Sequence, residues 1–208
     1  MSEPYSAMAQ LHLEPEALRR YLATPVRGNR WDDWDSLTGW YDADGEARGL
    51  PYALHPEPDL STVDHWLSDP DDDHRAQLRT FLRTAEEPEL ARLAYDPARA
   101  TLTLVNLTVA AESFRNPLWF LALIRAATPH LDPRGGFAVV RNYIWPGPHD
   151  RHTLAALRLT RGTSRPLHPV TDAHAYQAAT RAADAAFDAT GLDETAGEAD
   201  AVACLDRL

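Results

Sequence analysis

Three observations in this chain of 208 residues predict a single α+β domain. Apolar residues make up 44% of the sequence, which is enough for a substantial buried core. Strand-like apolar segments lie between residues 90 and 160, and a helix-like segment that is apolar nearly all round interrupts them. The order β-β-α-β-β-α over about 90–190 predicts a four-stranded, largely antiparallel sheet with helices packed on one face, preceded by a helical and hairpin N-terminal region.

Three elements are predicted in the acidic N-terminal region, residues 1–89. The segment EPEALRRYLA at 14–23 places acids and a proline at the start of a helix with an apolar stripe. The turn sequence DADG at 42–45 lies between aromatic segments and favours a β-hairpin. A further helix is predicted over about 69–85, with three aspartates in its first turn, where they suit the helix dipole.

The strands of the core segment, residues 90–190, are predicted from apolar patterning and from the turn residues between them. The apolar phase of the second strand switches near Leu104, which indicates either a bulge or a strand buried on both faces. The four strands are expected at 90–95, 101–109, 137–145 and 153–160.

Two helices complete the core segment. The first begins at Asn116-Pro117 and is expected at the centre of the molecule, because almost every residue in it is apolar. The second is capped at residue 171 or 172 and ends at Gly191. The acidic tail 192–208 is expected either to be mobile or to form a short helix. The first helix should bury Trp119, Phe120, Leu123 and Ile124 against Leu102, Leu104, Val139 and Leu157.

Charge is distributed unevenly along the chain, whose formal net charge is −11. Residues 31–90 carry sixteen acids and four arginines, whereas residues 91–170 carry ten arginines and four acids. The acidic total disfavours nucleic acid as a partner, because binding to phosphates needs a net basic surface. The sequence contains no lysine, which excludes Schiff-base chemistry and a phosphate-loop lysine.

Other features narrow the class of protein further. No apolar run is long enough for a membrane span and no secretory signal is visible, so a cytoplasmic, bacterial protein without a membrane partner is expected. The single cysteine, Cys204, is expected to be a plain free thiol. Because the common nucleotide-binding, serine-hydrolase and zinc-peptidase motifs are absent, the sequence predicts no catalytic residue and no cofactor.

The best metal-like cluster is His149 and His152, in the loop that follows Pro146-Gly147-Pro148. Two imidazoles three residues apart can share one ion only if a third ligand arrives from elsewhere. A solvated, histidine-containing loop is the commoner structure, so no metal site is predicted.

The leading hypothesis is a non-enzymatic module that binds a basic protein, in the manner of an immunity-type inhibitor of a toxin. Tryptophans interleaved with aspartates would form a rigid acidic contact surface, although the tryptophans could equally belong to the core. The predicted partner-binding residues are Trp31, Asp32, Asp33, Trp34, Asp35, Trp40, Asp71, Asp72 and Asp73.

Two alternatives stay open. The chain could be an enzyme or a small-anion-binding protein that uses a His/Arg cleft in residues 112–168, where Arg115, Arg141, His149 and His152 would hold the ligand. It could also be a homodimer whose acidic and basic halves complement each other across a two-fold axis. A deep cavity lined by those residues would favour the first alternative, and a flat acidic face would favour the leading hypothesis.

Overall fold

An antiparallel sheet of six strands forms the centre of the protein in its computed structural model. In chain order, the described strands are β1 (Tyr5–His12), β2 (Trp40–Tyr41), β3 (Ala47–Arg48), β4 (Ala91–Asp96), β5 (Thr101–Val109), β6 (Gly136–Asn142), β7 (Thr153–Thr160) and β8 (Thr163–Pro166). The large sheet has the order β4-β5-β1-β6-β7-β8, and β2 pairs with β3 separately. The structure describes residues 5–26, 40–41, 47–48, 63, 65, 72–84, 90–109, 115–142, 153–191 and 198–208.

Five α-helices accompany the strands in the described ranges. They are α1 (Pro15–Leu22), α2 (His74–Leu82), α3 (Arg115–Ala126), α4 (Ala173–Gly191) and α5 (Glu198–Arg207), and a short 3-10 helix follows α3 at Thr128–His130. None of these helices is long and apolar enough to cross a membrane. The five helices and the six-stranded antiparallel sheet confirm the predicted α+β class.

The predicted count of four strands is wrong, because two strands were missed. The first, β1, lies in the middle of the sheet, where it pairs with β5 on one side and β6 on the other. The second, β8, follows β7 through a two-residue turn at Arg161-Gly162, where Gly162 has a φ of +80° that favours glycine. Strands β4, β5 and β7 lie within one residue of their predicted bounds.

Helices pack on both faces of the sheet, whereas the sequence predicted helices on one face only. Ala7, Ala9 and Leu11 of β1 belong to a core that also contains residues of α1, α2, α3 and α5, and we call this side the α3 face. Met8 of β1 points the other way and packs, together with Val105, against residues of α4, on what we call the α4 face. The central strands are apolar on both sides, so both sides need cover.

The switch of apolar phase in β5 has two causes. Leu104 belongs to the α3 face and Val105 to the α4 face, as expected of a strand that is buried on both sides. The register with β1 then shifts between Tyr5 and Ala7, and Val109 returns to the α3 face. In this bulge the buried Asn106 accepts a hydrogen bond from the backbone N–H of Thr108 at 3.1 Å.

The N-terminal region contains the predicted helix α1 and hairpin strands that pair Trp40 with Arg48. Helix α2 starts later than predicted, at His74, with Asp73 as its N-cap. The carboxylate of Asp73 accepts a hydrogen bond from the backbone N–H of Ala76 at 2.8 Å, which satisfies a free amide of the first turn. In the described part of the acidic tail, Glu198–Arg207 form α5, in which Leu205 is fully buried.

Trp119 connects α3 with α2 in the core of the α3 face. Its side chain is 6% exposed, its indole N–H donates to Oε1 of Gln77 at 2.9 Å, and Phe81 meets the ring edge-on at 5.9 Å. Burial of the apolar helix α3 is thereby confirmed. One predicted neighbour is wrong, because Val139 faces α4 on the opposite side of the sheet.

Replacing Trp119 with Ala should lower the free energy of unfolding by about 3–5 kcal/mol, because it opens a large cavity and leaves the Gln77 amide without its donor. Chemical denaturation measures this change directly. A matched Val170→Ala variant, at an exposed apolar position, should change stability little. A loss below about 1 kcal/mol for Trp119→Ala would contradict the packing described here.

His74 at the start of α2 is a buried imidazole, 3% exposed. Its Nδ1–H donates to the carbonyl oxygen of Thr24 at 2.8 Å, and the ring lies against Tyr21 at a tilt of 33°, with the ring centroids 4.7 Å apart. Nε2 is buried without a hydrogen-bond partner among the described residues. Burial lowers the pKa of His74 and nearby His130 acts in the same direction, whereas the backbone carbonyls of Thr24 and Tyr21 oppose this shift.

Stability should therefore fall as the pH is lowered from about 7.5 to about 5.5. His74 titrates near 6.5 in the unfolded chain and below that value in the folded protein. Above a pH of about 6.5, the neutral His74 contributes its full stability to the folded protein. This contribution is lost at lower pH, because the unfolded chain takes up a proton that the folded protein excludes.

Urea denaturation at both pH values measures this loss. His74→Asn keeps a donor near Thr24 and should reduce the pH dependence of stability. His12 and His130, whose pKa values are also lowered, account for the pH dependence that remains. His174→Asn, at an exposed position on α4, is the control and should leave the dependence unchanged. The assignment is contradicted if His74→Asn retains the full loss.

Candidate functional site

Most of the predicted partner-binding residues lie outside the residues that the structure describes. Trp40 belongs to β2, of which only the strand pairing is described. Asp72 and Asp73 are described at the start of α2. Those outside the described ranges are Trp31, Asp32, Asp33, Trp34, Asp35 and Asp71.

Asp72 and Asp73 both hold local structure. Oδ2 of Asp72 accepts a hydrogen bond from Nε2 of Gln77 at 2.7 Å, and Gln77 in turn accepts from Trp119 in the core. Asp73 caps α2. Both carboxylates are half-buried, and neither of these bonds neutralises their charge. They therefore orient α2 while still contributing negative potential to this end of the molecule.

Five described ion pairs show how the arginines are used. Arg79 of α2 pairs with Asp206 of α5, and Nε of Arg99 lies 3.6 Å from Oδ2 of Asp96. The other three pairs are Arg134 with Asp132, Arg141 with Asp184, and Arg165 with Asp172 at 2.8 Å. All five acids in these pairs lie outside residues 31–90.

Arg115 and Arg141 lie in different elements of the structure. Arg115 begins α3, which packs on the α3 face, and it is half-buried. Arg141 of β6 is 4% exposed, pairs with Asp184 of α4 and donates to the carbonyl oxygen of Thr180 at 3.0 Å. Its guanidinium also lies 5.7 Å from the ring centroid of Phe187. Arg141 thus anchors α4 to the sheet and is closed to an external anion.

His149 and His152 lie outside the described residues. Among the described ones, no group of three or more His, Cys, Asp or Glu side chains is placed to hold a metal ion. Cys204 of α5 is a partly buried free thiol.

A cavity of about 300 Å³ opens on the α4 face of the sheet. It is bordered by the ends of β1, β4 and β5 that lie beyond the residues packed against α4. We call it the strand-end cavity. The strand register places Ala94, Thr103 and Gln10 side by side across its floor. The small side chain of Ala94 leaves this space open, because a longer side chain there would extend over the floor.

A second row of residues, Asp96, Thr101 and His12, borders the same cavity. The hydroxyl of Thr101 donates to the carbonyl oxygen of Arg99 at 3.0 Å and lies 3.0 Å from Nδ1 of His12. Because the hydroxyl has only one proton, Nδ1 of His12 is the donor of the second bond and Nε2 is the acceptor of the neutral ring. Oδ1 of Asp96 is occupied by the backbone N–H groups of Ala98 and Arg99, at 2.9 and 3.2 Å.

Arg134 stands on the rim in a loop that is fixed by hydrogen bonds. Its Nε donates to Oδ2 of Asp132 at 2.9 Å, and its Nη1 donates to the carbonyl oxygen of Arg99 at 2.7 Å. The backbone of His12 is bonded to both ends of the loop, to Asp132 at 3.0 Å and to Gly135 at 2.9 Å. Gly135 has a φ of +73°, and a Cβ there would lie 2.2 Å from the carbonyl oxygen of Leu159, so the loop requires glycine.

The charges around the cavity influence each other. Burial lowers the pKa of His12, and the positive charge of Arg134 lowers it further, so the imidazole is neutral at pH 7. Burial alone would raise the pKa of Asp132, but the hydrogen bonds from Arg134 outweigh it and hold that pKa below its ordinary value. The carboxylate consequently stays ionised and keeps Arg134 in place.

The strand-end cavity was not predicted from the sequence. The available signal was a pair of matching polar alternations, Gln10-x-His12 and Thr101-x-Thr103, at the paired ends of two strands. That signal becomes visible only once residues 5–12 are recognised as a strand.

Comparison of the chain with protein-family models, with curated proteins and with solved structures gives no significant match.

The protein purified without a histidine tag should contain no stoichiometric transition metal, because His149 and His152 are too few to form a complete site on their own. Elemental analysis of the dialysed protein tests this. One zinc ion per chain that is lost in His149→Ala or His152→Ala, but retained in the exposed control His174→Ala, would contradict the expectation and support a metal-dependent function.

Proposed function

We propose that this chain is a non-enzymatic protein-binding module whose acidic segment, residues 31–90, engages a basic protein partner. The observation that carries the proposal is the charge imbalance of the segment. Asp72 and Asp73, the two acids of the segment that the structure describes, bond to the side chain of Gln77 and the backbone of Ala76, and these uncharged partners leave their negative charge in place.

The charge count makes the imbalance quantitative. Sixteen acids and four arginines give residues 31–90 a formal charge of −12. Of the ten arginines in residues 91–170, four are already paired with acids elsewhere, so at most six could face this segment. Even complete pairing with those six would leave about six negative charges, which is enough to steer a basic protein towards the segment.

An immunity-type inhibitor is the form of binding protein that these features favour. Such an inhibitor presents acids to the cationic cleft of its target, and Trp31, Trp34 and Trp40 would supply the large anchoring side chains that dominate binding energy at interfaces. The lone free thiol of Cys204 fits the reducing cytoplasm of a bacterial cell, where this inhibitor would meet its target.

The alternative of a His/Arg cleft in residues 112–168 has less support. Arg141 is committed to Asp184 and is buried, so of the four residues predicted to hold the ligand only Arg115, His149 and His152 would remain. The homodimer is a third proposal, in which residues 31–90 would face the arginine-rich half of a second copy.

The acidic segment should control the rate of association with the partner. Once a partner has been identified by affinity capture and purified, its association rate should fall steeply between about 50 and 500 mM salt, because salt screens steering. The triple variant Asp32→Asn, Asp33→Asn and Asp35→Asn should lower the association rate at low salt by about tenfold with little effect on stability.

A control variant with the same change in net charge separates local from global effects. Glu14→Gln, Glu16→Gln and Asp188→Asn remove three exposed charges outside the acidic segment, and they should change the association rate much less. Surface plasmon resonance with the purified partner measures all three proteins. A partner whose association is indifferent to salt and to the triple variant would refute the acidic-segment proposal, and a dimer without a partner would favour the homodimer.

A further inference from the structure

We propose that the strand-end cavity is a binding site for a small oxyanion, meaning a phosphate or a carboxylate group. The site lies on the sheet, is built from residues outside 31–90, and does not depend on the function proposed above. The volume of about 300 Å³ is at the lower end of the range for small-molecule sites in proteins.

Hydrogen-bond donors without partners converge on this cavity. The side chains of Gln10 and Thr103 form no hydrogen bond among the described residues, although they lie side by side on the floor. Arg99 on the rim has an 83% exposed side chain, and its one described ion pair, with Asp96, spans 3.6 Å and involves only Nε. Its two terminal nitrogens can therefore turn towards a ligand. These groups are donors that match the oxygens of an anion.

The two nearby carboxylates do not oppose an anion as strongly as their number implies. Asp96 and Asp132 balance the formal charges of Arg99 and Arg134. Yet Oδ1 of Asp96 is turned to the amides of its own loop, and Asp132 is bonded to the side chain and the backbone of Arg134. Selectivity for an oxyanion thus comes from the orientation of the donors, in the absence of a net positive charge.

The cavity is also held in shape before any ligand arrives. The loop with Arg134 is bonded through its backbone to His12, and Arg134 itself is bonded to the carbonyl oxygen of Arg99. The floor consists of three hydrogen-bonded strands. Little ordering is left to oppose binding, apart from the side chains of Arg99, Gln10 and Thr103. The neutral His12 offers Nε2 as an acceptor for a hydroxyl group, such as that of hydrogen phosphate.

Titration with inorganic phosphate and, separately, with sodium acetate tests the proposal. Backbone amide shifts in NMR spectra, recorded at constant ionic strength, should move and saturate for residues 94–103 and for the loop at 132–135. Tighter binding of phosphate assigns the site to a phosphate-bearing ligand, and tighter binding of acetate assigns it to a carboxylate; either result supports the site.

Two variants address the site itself, and each has a matched control. Ala94→Leu fills the cavity at an exposed strand position, and Arg99→Gln removes the free guanidinium. Each should weaken binding by about tenfold or more. Arg161→Gln, at an exposed turn, and Ala178→Leu, at an exposed position on α4, should leave affinity within about twofold. The unfolding free energy of Ala94→Leu establishes that this variant is folded.

Three results would overturn the proposal. They are the absence of saturable shifts with both anions, saturable shifts confined to other parts of the protein, and equal weakening by Arg99→Gln and Arg161→Gln. The last would indicate diffuse attraction to surface charge. None of these outcomes bears on the acidic segment, whose test uses different residues and a protein ligand.

Discussion

The pairing of β1 with two strands that are distant in the sequence holds the sheet together. Strands β4 and β5 form one hairpin, and β6, β7 and β8 form a separate meander; β1 joins the two through its hydrogen bonds to β5 and β6. Its small residues, Ala7 and Ala9, let α3 approach the sheet closely. The polar end of the same strand supplies the floor of the strand-end cavity, so fold and candidate site depend on one element.

How far the fold could be predicted depended on the kind of residue in each segment. Strands β5 and β7 were predicted to the residue because they are rich in β-branched or alternating residues and lie next to clear turn sequences. The burial of α3 followed from its continuous apolar run. In contrast, β1 consists mainly of small and polar residues, which have little strand preference, and β8 is only four residues long.

The candidate sites were harder to predict, because their properties depend on contacts between distant residues. The sequence around Arg141 looks the same whether its side chain binds an external ligand or anchors a helix inside the protein. Asp184, whose ion pair with Arg141 decides between these roles, lies in another element. The position of Asp72 and Asp73 at the start of a helix could be inferred from neighbouring residues alone, although the helix begins at His74, later than predicted. The strand-end cavity could not, since its rows form only when three strands pair in the observed register.

The position of β1 in the chain has a consequence for how the protein folds in the cell. The ribosome synthesises β1 before either of its partners, so this strand emerges with two open edges and waits for β5 and then for β6. Sheets built on such long-range pairing fold slowly, since loop closure costs entropy before the contacts form. Until then the nascent chain exposes a strand that could associate with other chains. The yield of native protein is therefore expected to depend on how well chaperones shield residues 5–12 during synthesis.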